Sequence, residues 1–180
     1  MGATTALSIT VNEVNLPPSL LLPTNRTIHA GNLFLSSVGA ADPDLPANTL
    51  TYVKASGLEG LNVSATGHIT WATTDADANT TNIVTIHVTD NGTPSLTTTN
   101  TFLIIVEAPP RFTFIFKTGA IATATWSAIP GTSYQLQFKT NLADGTWKNL
   151  LAEVTASARS ASIEDSGLDP SRFYRLTVLP

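Results

Sequence analysis

FLIIVEAPP, Phe102 to Pro110, is the stretch that organises the rest of the chain. Phe102, Ile104 and Val106 recur at period two, which sets every second side chain on one face of an extended strand. Glu107 ends the alternation, and Pro109-Pro110 stiffens the chain just beyond it. The same order of events occurs once before. LSITVNEVNLPP, Leu7 to Pro18, alternates Leu7, Ile9 and Val11, then passes through Glu13 to Pro17-Pro18. A last strand that runs into a short stiff linker is how one module hands over to the next. The two occurrences lie roughly 95 residues apart, the length of one small domain of about 100 residues.

Outward from this echo, short alternating segments fill both halves. Strands are expected at Leu33 to Ala40, Leu50 to Ala55, His68 to Ala72, Asn82 to Thr89 and Thr97 to Val106. Gly31-Asn32, Asp42-Pro43, Gly57, Gly60, Thr66-Gly67 and Asn91-Gly92 supply the turns between them. No segment carries a helical period. Many short strands at this spacing predict an all-β chain built of sandwiches. The predicted division is 1–11, a last strand of a preceding repeat or an added edge strand; 12–107, a first module; 108–110, a linker; and 111–180, a second module.

Composition agrees and narrows the function classes. The chain has 180 residues, 42% hydrophobic, which is enough to fold. Only 12% are charged, and Thr, Ser, Asn and Ala fill the remaining positions, as suits strands. A net charge of −4 gives no electrostatic reason for a nucleic-acid or anionic-membrane partner and tolerates cations. With 0 cysteines, disulfides and thiolate metal sites are excluded, so a bound metal or a neighbouring module must add stability. No apolar run approaches the roughly 20 residues that cross a bilayer. MGATTALSITVNE lacks the regions of a signal peptide, which places any export signal upstream.

In the first module, ADPDLPANTLTY sets Asp42 and Asp44 two residues apart in a turn restrained by Pro43 and Pro46. VTDNGTPSL puts Asp90 at the end of a strand, with Asn91-Gly92 turning into the next. VNEVNLPP adds Glu13 and Asn15. Hard cations take six to eight oxygens of these kinds, so the set converges on one ion only where the fold brings linker and loops together. The bland alternative is that these acids cap backbone groups in turns. The order NEVN-x-P, DPD-LPANTLTY, TGHITW and VTDNGTP resembles a bacterial cadherin-like repeat of the dystroglycan-type and related Ig-like group, over about residues 12 to 106. The resemblance implies calcium at the junction with a preceding repeat, held by Glu13, Asn15, Asp42, Asp44 and Asp90. The rear linker, Val106 to Pro109, lacks the Asn positions for a second such site. DADAN, Asp75 to Asn79, opens like an EF-hand loop but has Thr80 where glycine is needed and Ile86 where the bidentate Glu belongs, so it reads as a solvated loop.

The second module gives FTFIF, then ATATWSAIPGTSYQLQF, with Trp126 on an early strand and Tyr134, Leu136 and Phe138 on another. GLDPSRFYRLTV spaces Leu168, Pro170 and Tyr174 like a tyrosine corner, in which the hydroxyl bonds back to the backbone. Together these resemble a fibronectin type III domain over most of residues 111 to 180, one strand short of the family. The resemblance makes Trp126 a core residue, and packing roles are also expected for Trp71 and Trp147. The fold expected for the whole is two tandem Ig-like β-sandwich domains.

No catalytic constellation is visible. His29, His68 and His87 are scattered without metal-ligand spacing, and no GxSxG elbow or glycine-rich phosphate loop occurs. Asp42 with Asp44 makes no glycosidase cleft on a small sandwich. The expectation is therefore a non-enzymatic, extracellular, secreted or cell-surface spacer or adhesion segment. Its expected partners are neighbouring modules, with polysaccharide or a cell-surface protein beyond them, and no nucleic acid or membrane insertion. The alternative is an accessory carbohydrate-binding module of a secreted polysaccharide-degrading enzyme.

Overall fold

A computed structural model describes residues 6–9, 12–167, 169 and 171–180. Among these the regular structure is β-strand, with a single 3-10 turn, Asp75–Asp77, and no α-helix. None of the helical structure is long or apolar enough to cross a membrane. The chain folds into two compact units, residues 1–26, 33–73 and 81–105 in the first and 27–32, 74–80 and 106–180 in the second.

The strands up to and including the second echo are β1 (Ser19–Leu21), β2 (Arg26–His29), β3 (Leu33–Ser37), β4 (Gly39–Ala41), β5 (Thr51–Ser56), β6 (Asn62–Val63), β7 (His68–Ala72), β8 (Thr80–Thr89) and β9 (Thr97–Glu107). They pair as a four-stranded sheet β2-β9-β8-β5, a three-stranded sheet β3-β7-β6 and a small ribbon β1-β4. The alternation read from the sequence is what fills the core of unit 1. Val84, Ile86 and Val88 of β8 and Ile104 of β9 are fully buried, and Phe34, Ile69 and Trp71 bury the inner face of the three-stranded sheet. Phe34 and Phe102 stack across the space with ring centroids 6.5 Å apart. Each such side chain stabilises by about 1.5–3 kcal/mol relative to exposure. The strand expected at Leu33 to Ala40 is interrupted at Val38, whose N–H bonds Gly67 O instead. Residues 6–9 carry no strand; the other positions of the predicted leading strand lie outside the described residues.

Unit 2 is assembled from β10 (Phe112–Thr118), β11 (Ile121–Ser127), β12 (Ser133–Lys139), β13 (Lys148–Asn149), β14 (Val154–Thr155), β15 (Ser160–Asp165) and β16 (Phe173–Val178). One sheet runs β10-β11-β15; in the other, β12 pairs with β13, β14 and β16. Trp126 is fully buried, 6.0 Å from Tyr134 in an edge-on arrangement. Ala128 and Ala156 complete that cluster, with Phe112, Ile163, Leu176 and Val178 packed against it. The other two Trp also pack: Trp71 is buried, and Lys139 and Arg175 lie over Trp147 at 5.0 and 4.8 Å.

A part-buried ion cluster stands beside Phe138 in unit 2. Arg172 bonds Asp165 at 2.7 Å and Asp169 at 2.5 Å, and its guanidinium lies 4.0 Å from the centre of the Phe138 ring. Gly167 must lack a side chain here, because a Cβ would occupy the space of the guanidinium. Tyr174 donates its hydroxyl to Asp165 Oδ2 at 2.7 Å. The tyrosine-corner reading is thereby altered: the acceptor is a carboxylate rather than backbone, while Leu168 and Pro170 lie outside the described residues. Burial and then the bond to the Asp165 carboxylate push the Tyr174 phenol up to about 12.

Candidate functional site

The five residues expected to hold calcium meet at one pole of unit 1. Asn15 is buried, and its Nδ2 donates to Asp90 Oδ2 at 3.2 Å and to the Pro94 carbonyl at 2.8 Å. One residue on, the Leu16 N–H donates to both oxygens of Asp44 at 3.2 Å. The linker is thus stitched to both acidic turns. Asp42 turns the chain locally, accepting through Oδ1 from the N–H groups of Asp44 (3.1 Å) and Asn48 (3.0 Å). Asp90 does the same for its own hairpin, accepting through Oδ1 from Gly92 (3.1 Å) and Leu96 (2.9 Å). The proline-bounded turns read from the sequence are what bring these carboxylates to fixed positions.

Three further groups complete the network: Asn91 and Gly92, read in the sequence only as a turn, and Asn48, which was given no role there. Asn48 donates from Nδ2 to Asn15 Oδ1 (2.6 Å) and to Asp44 Oδ2 (3.0 Å), so a neutral amide occupies the space between linker and turn. Asn91 accepts from the Thr49 N–H at 2.7 Å and ties the two loop tips together. Gly92 permits the closeness of the hairpin, since a Cβ there would fall on the Asn15 amide. The signal for Asn48 lay in PANTLTY, but an Asn after Pro reads equally as an ordinary turn residue.

The electrostatics of the pole are unbalanced. The Asp90 carboxyl is held below its ordinary range: desolvation pushes it up, but the Leu96 and Gly92 N–H groups and the Asn15 amide outweigh that. Glu13 behaves oppositely. Desolvation, then the Asp44 carboxylate beside it, with Asp42 and Asp90 beyond, push Glu13 above the ordinary carboxylate range. Asp42 Oδ2 is buried and has no hydrogen-bond donor among the described residues. More negative charge collects here than the local donors neutralise.

The oxygen types fit a hard cation, being carboxylate, amide and carbonyl. They do not enclose one as they stand. Among the described residues, no group of three or more His, Cys, Asp or Glu side chains has the geometry of a metal site. Asp44 and Asp90 commit oxygens to N–H donors, and the Asn48 amide takes the position between Asn15 and Asp44.

The other acidic cluster forms the 3-10 turn Asp75–Asp77 rather than an irregular loop. Asp75 is exposed, and Asp77 accepts from the Thr74 N–H (2.7 Å) and hydroxyl (2.9 Å). The histidines make no catalytic set. His29 is buried in unit 2 with both ring nitrogens bonded, to Ala108 O (2.6 Å) and the Tyr134 hydroxyl (2.7 Å). His68 is exposed on β7, and His87 is half-buried on β8.

No protein-family model matches the chain, and no curated protein does. Among solved structures, it is similar to the protocadherin gammaB7 EC3-6 cis-dimer structure at 16% identity and a TM-score of 0.43, over 91% of this chain and 52% of that one. It is also similar to mouse cadherin-23 EC22-24, at 17% identity and a TM-score of 0.40, over 92% of this chain and 65% of that one. A third likeness is to a nucleoside hydrolase-related hypothetical protein from Saccharophagus degradans described as associated with carbohydrate metabolism. Its identity is 17% and its TM-score 0.43, over 52% of this chain and 26% of that one. The chain thus spans about a quarter of the last and between half and two thirds of these two cadherin chains. The assignment as tandem β-sandwiches rests on its own strand pairing and buried faces.

Proposed function

We propose that the chain is a non-catalytic, extracellular spacer or adhesion segment of a larger secreted or surface protein, and that calcium stiffens the leading pole of unit 1. The observation that carries this reading is the convergence of Glu13, Asp42, Asp44 and Asp90 with a buried Asp42 oxygen that no donor among the described residues satisfies. A divalent cation relieves such an excess of charge, and the resident Asn48 amide is what it would displace. The spacer reading also has the support of the aromatics. Trp71 and Trp126 are interior, and Lys139 and Arg175 lie over the half-buried Trp147, so the three Trp side chains form no shared sugar-stacking platform. The polysaccharide-binding alternative has less to stand on.

Thermal unfolding of the whole chain in chelator and in calcium tests the metal. At about 1 mM calcium and a Kd near 0.1 mM, typical of extracellular sites, stability rises by about 1.4 kcal/mol and the midpoint by several degrees. Asp42→Asn removes the unsatisfied charge while keeping the Oδ1 acceptor, and is expected to fold and to lose the response. Equal midpoints in calcium and chelator for the unaltered chain reject the metal.

A further inference from the structure

We infer that β10 is a self-pairing edge, through which two copies of this chain join their β10-β11-β15 sheets across a two-fold axis at Ile115. Among the described residues β10 pairs on one side only, with β11. Every residue from Thr113 to Thr118 is exposed, yet the strand is apolar: Phe114 is 60% accessible, Ile115 48% and Phe116 43%. An exposed sheet face accounts for apolar residues on one side of a strand. It does not account for them on both. Phe114 and Phe116 stand opposite Thr125 and Thr123 on the outer face, their rings 5.3 Å apart, whereas Ile115 stands opposite the buried Ala124 on the inner face. A strand added to the edge gives the side chains of both faces cross-strand neighbours at once, which reduces exposure on each.

The sequence of the strand selects a second copy as that partner. In a two-fold antiparallel pairing centred on Ile115, each residue meets the one equally far on the other side of the centre. Phe114 then meets Phe116 of the other copy, Ile115 meets Ile115, and the outer face gains a continuous four-ring cluster. Lys117, the one charge of the strand, meets Thr113 rather than another lysine. Moving the centre one residue to Phe116 sets Lys117 against Ile115, and moving it to Phe114 brings in the register shift between Phe112 and Phe114. Edges are usually guarded by charge, proline or bulges along their length. On β10 such guards stand only at the ends, with Pro109-Pro110 before it, the irregularity at Phe112/Phe114 and Lys117. A single pair of strands covers less area than a permanent dimer needs, so the association is reversible and concentration-dependent.

The full chain tests this directly, because its 0 cysteines leave an introduced one unambiguous. Sedimentation is expected to show a monomer–dimer equilibrium, abolished by Phe114→Ser with the circular dichroism unchanged. Ile115→Cys, self-opposed at the axis, is expected to form an oxidised covalent dimer at least about tenfold faster than Leu142→Cys, an exposed control in unit 2. The cysteine comparison stands even if Phe114→Ser fails to fold. A monomer at every concentration, or equal crosslinking rates, overturns the proposal. So does a monomer that binds polysaccharide and loses binding in Phe114→Ser, which would make the two rings a sugar platform instead.

Discussion

Trp126→Ala is expected to cost unit 2 about 3–5 kcal/mol, which approaches the whole stability of a small domain. The side chain is fully buried, and the residues around it come from both sheets: Tyr134 and Leu176 from one, Phe112, Ala161 and Ile163 from the other. Its removal leaves a cavity that two sheets fixed by their own hydrogen bonds cannot close. Trp126→Phe separates size from polarity. The indole Nε1 is buried without an acceptor among the described residues, so Phe removes an unsatisfied donor along with the second ring. Its cost is expected to fall well below that of Ala, at about 1–2 kcal/mol. Urea unfolding followed by circular dichroism measures both, and equal losses for Phe and Ala would contradict the packing account.

The second large effect is at the ion cluster. Arg172→Met keeps an apolar stem against Phe138 but deletes the charge between Asp165 and Asp169. Arg172 and Asp165 have side chains only 14% and 6% accessible, so the variant leaves a buried carboxylate uncompensated, at a cost of about 3 kcal/mol near neutral pH. The pH dependence carries its own sign. Desolvation pushes the Asp165 carboxyl up, but Tyr174, the Gly167 N–H and Arg172 together hold it below its ordinary value. A depressed folded pKa contributes stability that is present above the unfolded value and lost as pH falls through the folded one. Without the guanidinium, Asp165 protonates at higher pH, and the gap between variant and parent narrows in acid once both are neutral. Denaturant midpoints from neutral to low pH measure that gap; a constant difference would show that lost packing, not charge, sets the cost.

The strands were legible because alternation is a local signal. β7 falls at His68–Ala72 as read, and Trp126 is interior as its place in the pattern required. Short elements with little alternation, β2 among them, left no such trace. At the pole, Asp42, Asp44 and Asp90 advertised themselves through their turns and Glu13 and Asn15 through the linker, and the fold brings all five together. What could not be read was how their oxygens are spent. Whether Asp44 faces an ion or the Leu16 N–H depends on where a linker 28 residues earlier in the chain comes to lie. Asn48 was given no role and Asn91 only that of a turn residue for the same reason, since an amide in a turn takes its role from whatever tertiary neighbour reaches it.

The hydrogen bond from the Gly92 N–H to Asp90 has a chemical consequence beyond shape. Asn91-Gly92 is the dipeptide most prone to spontaneous deamidation, in which the glycine nitrogen attacks the neighbouring side-chain amide to close a succinimide ring. In the folded chain that nitrogen is tethered to one carboxylate and the Asn91 amide oxygen to Thr49, so both reactants are held away from cyclisation. Intact mass should therefore drift slowly below the unfolding midpoint and quickly above it, making the age of a sample a record of how long its leading pole has spent open.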